Sequence, residues 1–125
     1  MHICTMENIR TTHKTIIGAA QDMGQLADNS IALVVTSPPY PMIKMWDAVM
    51  AQQDPAVQHS LDNNDGPKAY ALMHQALDKA WEETMRVLLP GGFACINIGD
   101  ATRTINGNFA LYPNHARVIA AFQKL

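Results

Sequence analysis

No run of lysine or arginine occurs in the sequence: nine basic and eleven acidic residues are scattered over 125 positions, for a net charge of −2. A chain that holds nucleic acid by its own electrostatic footprint needs such a run or stripe, so composition argues against self-sufficient DNA binding. Long apolar runs are also missing. Nothing approaches the ~20 residues of a membrane span, and Met1-His2-Ile3-Cys4-Thr5-Met6-Glu7 lacks the basic and apolar segments of a signal peptide. No membrane association is expected. Cysteine is scarce: Cys4 and Cys95 stand far apart, and Cys95 lies in an apolar run where a reduced thiol would serve as a small core residue. This points to a cytoplasmic protein. His2, Cys4 and His13 lack the spacing and partners of a metal site, and no metal is expected.

What remains is ordinary for one soluble globular domain, with 48% hydrophobic and 16% charged residues, so disorder is not the expectation. Eight methionines are spread out as core filling. After a polar, irregular stretch to residue 13, Lys14-Thr15-Ile16-Ile17 reads as a short strand ended by Gly18, and residues 20–27 as a short helix. Asp28-Asn29-Ser30 makes a turn into Ile31-Ala32-Leu33-Val34-Val35-Thr36, a β-branched run expected to be a strand buried on both faces of a parallel sheet. A helix is expected around 42–52, then a polar loop through Asp62-Asn63-Asn64-Asp65-Gly66. Pro67 suits a helix's first turn with Asp65 as cap, and Met73, Leu77, Ala80, Trp81, Met85 and Leu88 recur as one apolar face. Pro90-Gly91-Gly92 would stop that helix, Phe93 to Ile98 would form the next buried strand, and a last helix would start at Pro113-Asn114. Strands alternating with helices imply a parallel α/β sheet, here with about three strands.

Thr36-Ser37-Pro38-Pro39-Tyr40 directly follows the expected buried strand, where open α/β sheets place their ligands. Consecutive prolines fix φ twice and hold the carbonyls of Ser37 and Pro38 in set directions. Rigid acceptors suit methylation of an exocyclic base amine, whose lone pair is delocalised until both N–H groups are held. The Ser37 hydroxyl and Pro38 carbonyl could take those hydrogen bonds, and Tyr40 offers a stacking face worth roughly 1–3 kcal/mol to a flipped base.

These residues resemble the catalytic motif of the S-adenosylmethionine-dependent DNA amino-methyltransferases, which modify cytosine-N4 or adenine-N6. Further segments are similar to one subgroup in order: Ile17-Gly18, Leu26 to Ile31, Pro41 with Met45-Trp46-Asp47, Arg86 to Gly92, Ile96 to Arg103 and Tyr112-Pro113-Asn114-His115. The resemblance implies an α/β, Rossmann-like methyltransferase fold, incomplete here, with residues 1–125 as the amino-terminal part of the catalytic domain. It implies Ser37, Pro38, Pro39 and Tyr40 as catalytic residues, Gly18 and Ser37 as cofactor contacts, S-adenosylmethionine as methyl donor and DNA as substrate, in a restriction-modification setting. Trp46 and Asp47 could line the base pocket, with core packing an equal reading for Trp46; Asp100 is more readily a cap than a direct participant. Serine at position 37 favours cytosine-N4; aspartate there goes more often with adenine-N6.

Two departures stand out. Members usually carry an acidic residue just after the glycine of the turn, where this chain has Ala19, with Asp22 three residues later. The family's Phe-x-Gly-x-Gly cofactor loop and target-recognition region are absent; Gly91-Gly92 precedes a strand and does not replace the loop. The family's strand order would put strands absent here between the first strand and the one before Ser37, so exposed edges and self-association are expected. The chain alone is expected to be inactive. Two other readings stand beside the DNA enzyme: a methyltransferase acting on RNA bases or a protein glutamine, whose relatives usually carry Asn at position 37, and a non-catalytic fragment or split half needing a second chain with the carboxyl-terminal part.

Overall fold

A computed structural model describes residues 10–125. His2 and Cys4 lie outside the described residues. In chain order the elements are β1 (Ile31–Thr36), a 3₁₀ turn (Lys44–Trp46), α1 (Asp47–Gln53), α2 (Pro55–Asp62), α3 (Gly66–Val87), β2 (Leu88–Ile96), β3 (Ala101–Ile105), β4 (Asn108–Tyr112) and α4 (Asn114–Phe122). Among the described residues no helix is long and apolar enough to cross a membrane.

β1 forms where its β-branched run predicts it and pairs in parallel with β2, Leu33 opposite Phe93 and Val35 opposite Cys95. Burial on both faces does not follow. Leu33 is 55%, Val35 73% and Phe93 70% exposed, because no other described strand or helix packs on that face. Cys95 shares it and is exposed, against the expectation of a core thiol. Nor is Lys14 to Ile17 a strand: the segment is irregular and Ile17 is 96% exposed, since a lone extended segment has no ladder to satisfy its backbone. Residues 20–27 form turns in place of a helix; Asp22 Oδ1 accepts from the Gly24 N–H, and Glu83 and Arg86 of α3 engage the backbone at Met23 and Leu26.

The long helix α3 is capped as expected, Asp65 accepting from the Lys68 N–H with Pro67 in its first turn. Its apolar face buries Met73, Leu77 and Trp81, while Met85 stays 40% exposed. Val87 ends the helix before Pro90-Gly91-Gly92, which lie inside β2 and coincide with its shift in register against β1. The core gathers α1, α2, α3, α4 and the β3–β4 hairpin around Met42, Met50, Val57, Met73, Leu77, Trp81, Ala101, Tyr112 and Val118. Helix α2 replaces part of the expected loop; Asp54 caps it and Pro55 starts it. The antiparallel hairpin is a further addition, and it brings the strands among the described residues to four. Its turn is Asn106-Gly107, both at positive φ (48° and 76°), the two-residue geometry that matches strand twist. Arg103 on β3 forks onto Asp47 at 2.8 Å through both nitrogens and ties the hairpin to α1.

Candidate active site at the carboxyl end of β1

The Ser37–Tyr40 loop leaves β1 at the sheet's carboxyl edge and returns at once to the core. Thr36 still accepts a ladder hydrogen bond from Asn97 at 2.9 Å; Tyr40 closes a turn by accepting from Ile43 at 3.2 Å. Between them Pro41 and Met42 are fully buried, and Met42 holds φ at 66° with its N–H 3.3 Å from Met73 Sδ. A non-glycine residue in this left-handed region costs about 1–3 kcal/mol, so the surrounding contacts impose the turn. Ser37 faces solvent, and its Oγ lies 3.1 Å from the Tyr40 hydroxyl.

Tyr40 is confined from the β2 side. A Cβ on Gly99 would come within 3.4 Å of Tyr40 Cε2, so the glycine leaves room for the ring beside it. Buried Asn114 donates both amide hydrogens, to the Pro41 carbonyl at 3.0 Å and the Gly99 carbonyl at 2.9 Å. Its Oδ1 lies 3.0 Å from Nε2 of His74, also fully buried. Burial pulls the His74 pKa from 6.5 down to about 4, with Arg117 adding to the effect and the Asn114 hydrogen bond opposing it.

Beside the loop opens a cleft of about 510 Å³. Ser37, Pro38 and Pro39 form one side, Ala19, Ala20 and Met23 another, with Leu77, Trp81 and Thr84 of α3 between them. Arg86 holds the Ala19–Met23 wall on α3: it donates to the carbonyls of Met23 and Leu26, each at 3.0 Å, and pairs with Asp28 and Glu83. Glu83 accepts from the Met23 N–H at 2.8 Å, and the Arg86 guanidinium is the main reason its carboxyl falls to about 2. A polar cross-link therefore stands where an expected helix would have met its own backbone needs.

Ser37, Pro38 and Pro39 thus share one cleft, while Tyr40 stands beside it, joined through its hydroxyl to Ser37. Gly18 lines an adjacent hollow with Ile16 and Asp22, and its neighbour Ala19 reaches the cleft. Asp100 acts as a cap: it accepts from the His115 N–H and ring Nδ1 at 3.1 and 2.7 Å, contacts that hold its carboxyl below the usual range. Asp47 is taken up by Arg103, whose pKa it raises. No group of three metal-ligating side chains occurs among the described residues. Asn114 and Arg86 lie in segments that carry the family resemblance, but their roles, like that of His74, show in no local pattern, because each depends on contacts with distant segments.

Comparison with known proteins gives a consistent picture. The family model described as DNA methylase matches residues 31–124. The chain is 47% identical to the type II methyltransferase M.MjaI of Methanocaldococcus jannaschii over 94% of its own length and 43% of that protein. To M.MthZI of Methanothermobacter thermautotrophicus it is 50% identical over 91% of its length and 32% of that protein. It therefore spans well under half of these curated relatives. Among solved structures it resembles TTHA0409 of Thermus thermophilus, described as a putative DNA modification methylase. With the form complexed with S-adenosyl-L-methionine the TM-score is 0.63 at 26% identity, covering 86% of this chain and 37% of the other.

Proposed function

The chain belongs to the DNA methylase family, and from that premise we propose that it carries the amine-orienting loop of a site-specific DNA methyltransferase. The reaction moves a methyl group from S-adenosylmethionine to the exocyclic amine of cytosine, N4, with adenine N6 as the alternative acceptor. The observation that carries this reading is the Ser37–Tyr40 hydrogen bond on a proline-fixed loop at the carboxyl end of β1. If Ser37 donates to Tyr40, both lone pairs of Ser37 Oγ stay free to accept from the target amine. The Pro38 carbonyl takes the second N–H, and the Tyr40 ring supports the flipped base.

S-adenosylmethionine supplies a methyl group on a cationic sulfur. The cleft suits one side of it: its volume lies in the range of small-molecule sites, and Thr36, Ser37 and Thr84, with Gln21 and Gln53, bring polar groups to a mainly apolar lining. Ala19, Ala20 and Ser37 would hold it. The forming N–C bond uses the amine lone pair, the breaking S–C bond leaves its electrons on sulfur, and the nitrogen then loses a proton to solvent. Charge moves from sulfur to nitrogen, so fixed acceptors matter more than a strong base. Serine in place of aspartate at position 37 favours cytosine.

The exposed apolar face of Leu33, Val35 and Phe93 supports a further part of this reading: a second polypeptide, or further chain, covers that face and completes the cofactor site. Calorimetric titration with S-adenosylmethionine, of this chain alone and mixed with a polypeptide bearing a Phe-x-Gly-x-Gly loop, tests both. Binding only in the mixture is expected. Methyl transfer by the mixture, measured at saturating S-adenosylmethionine, should then fall roughly 10²–10³-fold in Ser37→Ala, as for loss of one transition-state hydrogen bond. Unchanged transfer in that variant would reject the role of Ser37, and no binding in either sample would reject the cofactor site.

A further inference from the structure

We propose that Asn114, oriented by His74, is the positioning residue that sets the Tyr40 ring for the target base. The proposal rests on the reading of Tyr40 as the base-stacking residue. Four segments distant in sequence meet at this amide: the loop after Tyr40, the link from β2 to β3, the middle of α3 and the first residue of α4. The amide can face only one way. Turned over, its oxygen would confront the carbonyls of Pro41 and Gly99, two acceptors against a third. With both amide hydrogens committed to those carbonyls, Oδ1 must accept, so His74 is protonated at Nε2. Its Nδ1 is buried without a partner and carries the lone pair.

The two carbonyls locate Tyr40 from both sides. Pro41 is the residue after the tyrosine, and Gly99 is the residue against whose Cα the ring lies. A hydrogen bond to each sets the gap that the ring fills, while Ser37 holds the hydroxyl at the far end. Core filling alone gives no reason for a fully buried amide and imidazole here, because burying unpaired polar groups opposes folding and an apolar pair would avoid that cost. Their use is to fix one register between loop and strand end. Asn114→Asp keeps the shape but cannot donate to both carbonyls.

The test follows the Tyr40 ring by NMR in protein with ¹³C-labelled tyrosine, the signal assigned with Tyr40→Phe. Asn114→Asp and Asn114→Ala should shift or broaden the Tyr40 ring signals. Val118→Ala, a core truncation in the same helix, should leave them in place at a similar loss of melting temperature. Mixed with the polypeptide bearing the Phe-x-Gly-x-Gly loop and S-adenosylmethionine, and titrated with a short single-stranded oligonucleotide containing cytosine and adenine, the wild type should show a perturbed Tyr40, with roughly tenfold or greater weakening in the Asn114 variants. Should those variants not fold, ¹⁵N shifts of His74 in the unaltered chain still decide: the Nε2–H form supports the network and the Nδ1–H form overturns it. Unchanged Tyr40 signals in a folded Asn114→Asp, or equal changes in Val118→Ala, overturn it too. A wild-type Tyr40 that ignores the oligonucleotide would instead reject the stacking reading, and with it the purpose assigned to Asn114.

Discussion

Mild acid should weaken the fold through His74 before carboxylates enter. In the folded chain its ring is neutral, with a pKa of about 4 against an ordinary 6.5, because burial, with Arg117 nearby, outweighs the opposing hydrogen bond to Asn114. As the folded pKa is depressed, the unfolded chain gains the proton first when pH falls. Stability from keeping the ring neutral is whole above pH 6.5 and drains away between 6.5 and 4. The slope approaches about 1.4 kcal/mol per pH unit, and integration from pH 7 to pH 5 gives a loss of about 2 kcal/mol. The Tyr70 ring packed against it has its pKa raised by burial and stays neutral throughout that interval. The assay is urea denaturation at pH 7, 6 and 5 for the chain and for His74→Gln, whose difference cancels every other histidine. The wild type should lose about 2 kcal/mol more than the variant over that span. A pH-independent difference would refute the buried neutral ring, and an opposite slope would require a charged one.

Trp81→Ala should be the most damaging of the single truncations, since Trp81 is 2% exposed, packs 5.5 Å from the Phe122 ring and lines the cleft. A loss of about 3–5 kcal/mol is expected by denaturant titration, and less than about 1 kcal/mol would mean the α3–α4 packing is wrong. Arg103→Lys replaces a two-pronged contact with a single charge, both partners being only 18% exposed, and should cost about 1–2 kcal/mol in melting experiments. An unchanged melting temperature would show that the fork does not hold hairpin to helix. Gly107→Ala meets no neighbour within 4 Å, so its cost of about 1 kcal/mol should be backbone strain at φ +76° alone. A neutral result would remove the Asn-Gly turn from the hairpin.

Local chemistry made much of the protein legible. β1 follows from its β-branched run, α3 from Asp65, Pro67 and its apolar spacing, and the loop at Ser37 from two prolines after a strand. Asn106-Gly107 could have revealed the hairpin, because that dipeptide tolerates positive φ at both positions; the short strands beside it gave too weak an alternation. Lys14 to Ile17 has strand composition without a partner, and the helix pattern at 20–27 loses to Asp22, Gly24 and the Arg86 contacts.

By itself, then, the sequence determined the α/β alternation, the family and the loop that bears Ser37 and Tyr40, because those rest on neighbours within a few residues and on motif order. Tertiary structure alone decided which strand faces stay bare, which wall Arg86 holds beside Ser37, and that Asn114 and His74 lock the loop beyond Tyr40. Each of these depends on groups tens of residues apart meeting at hydrogen-bond distance, and that meeting is set by packing, not by local composition.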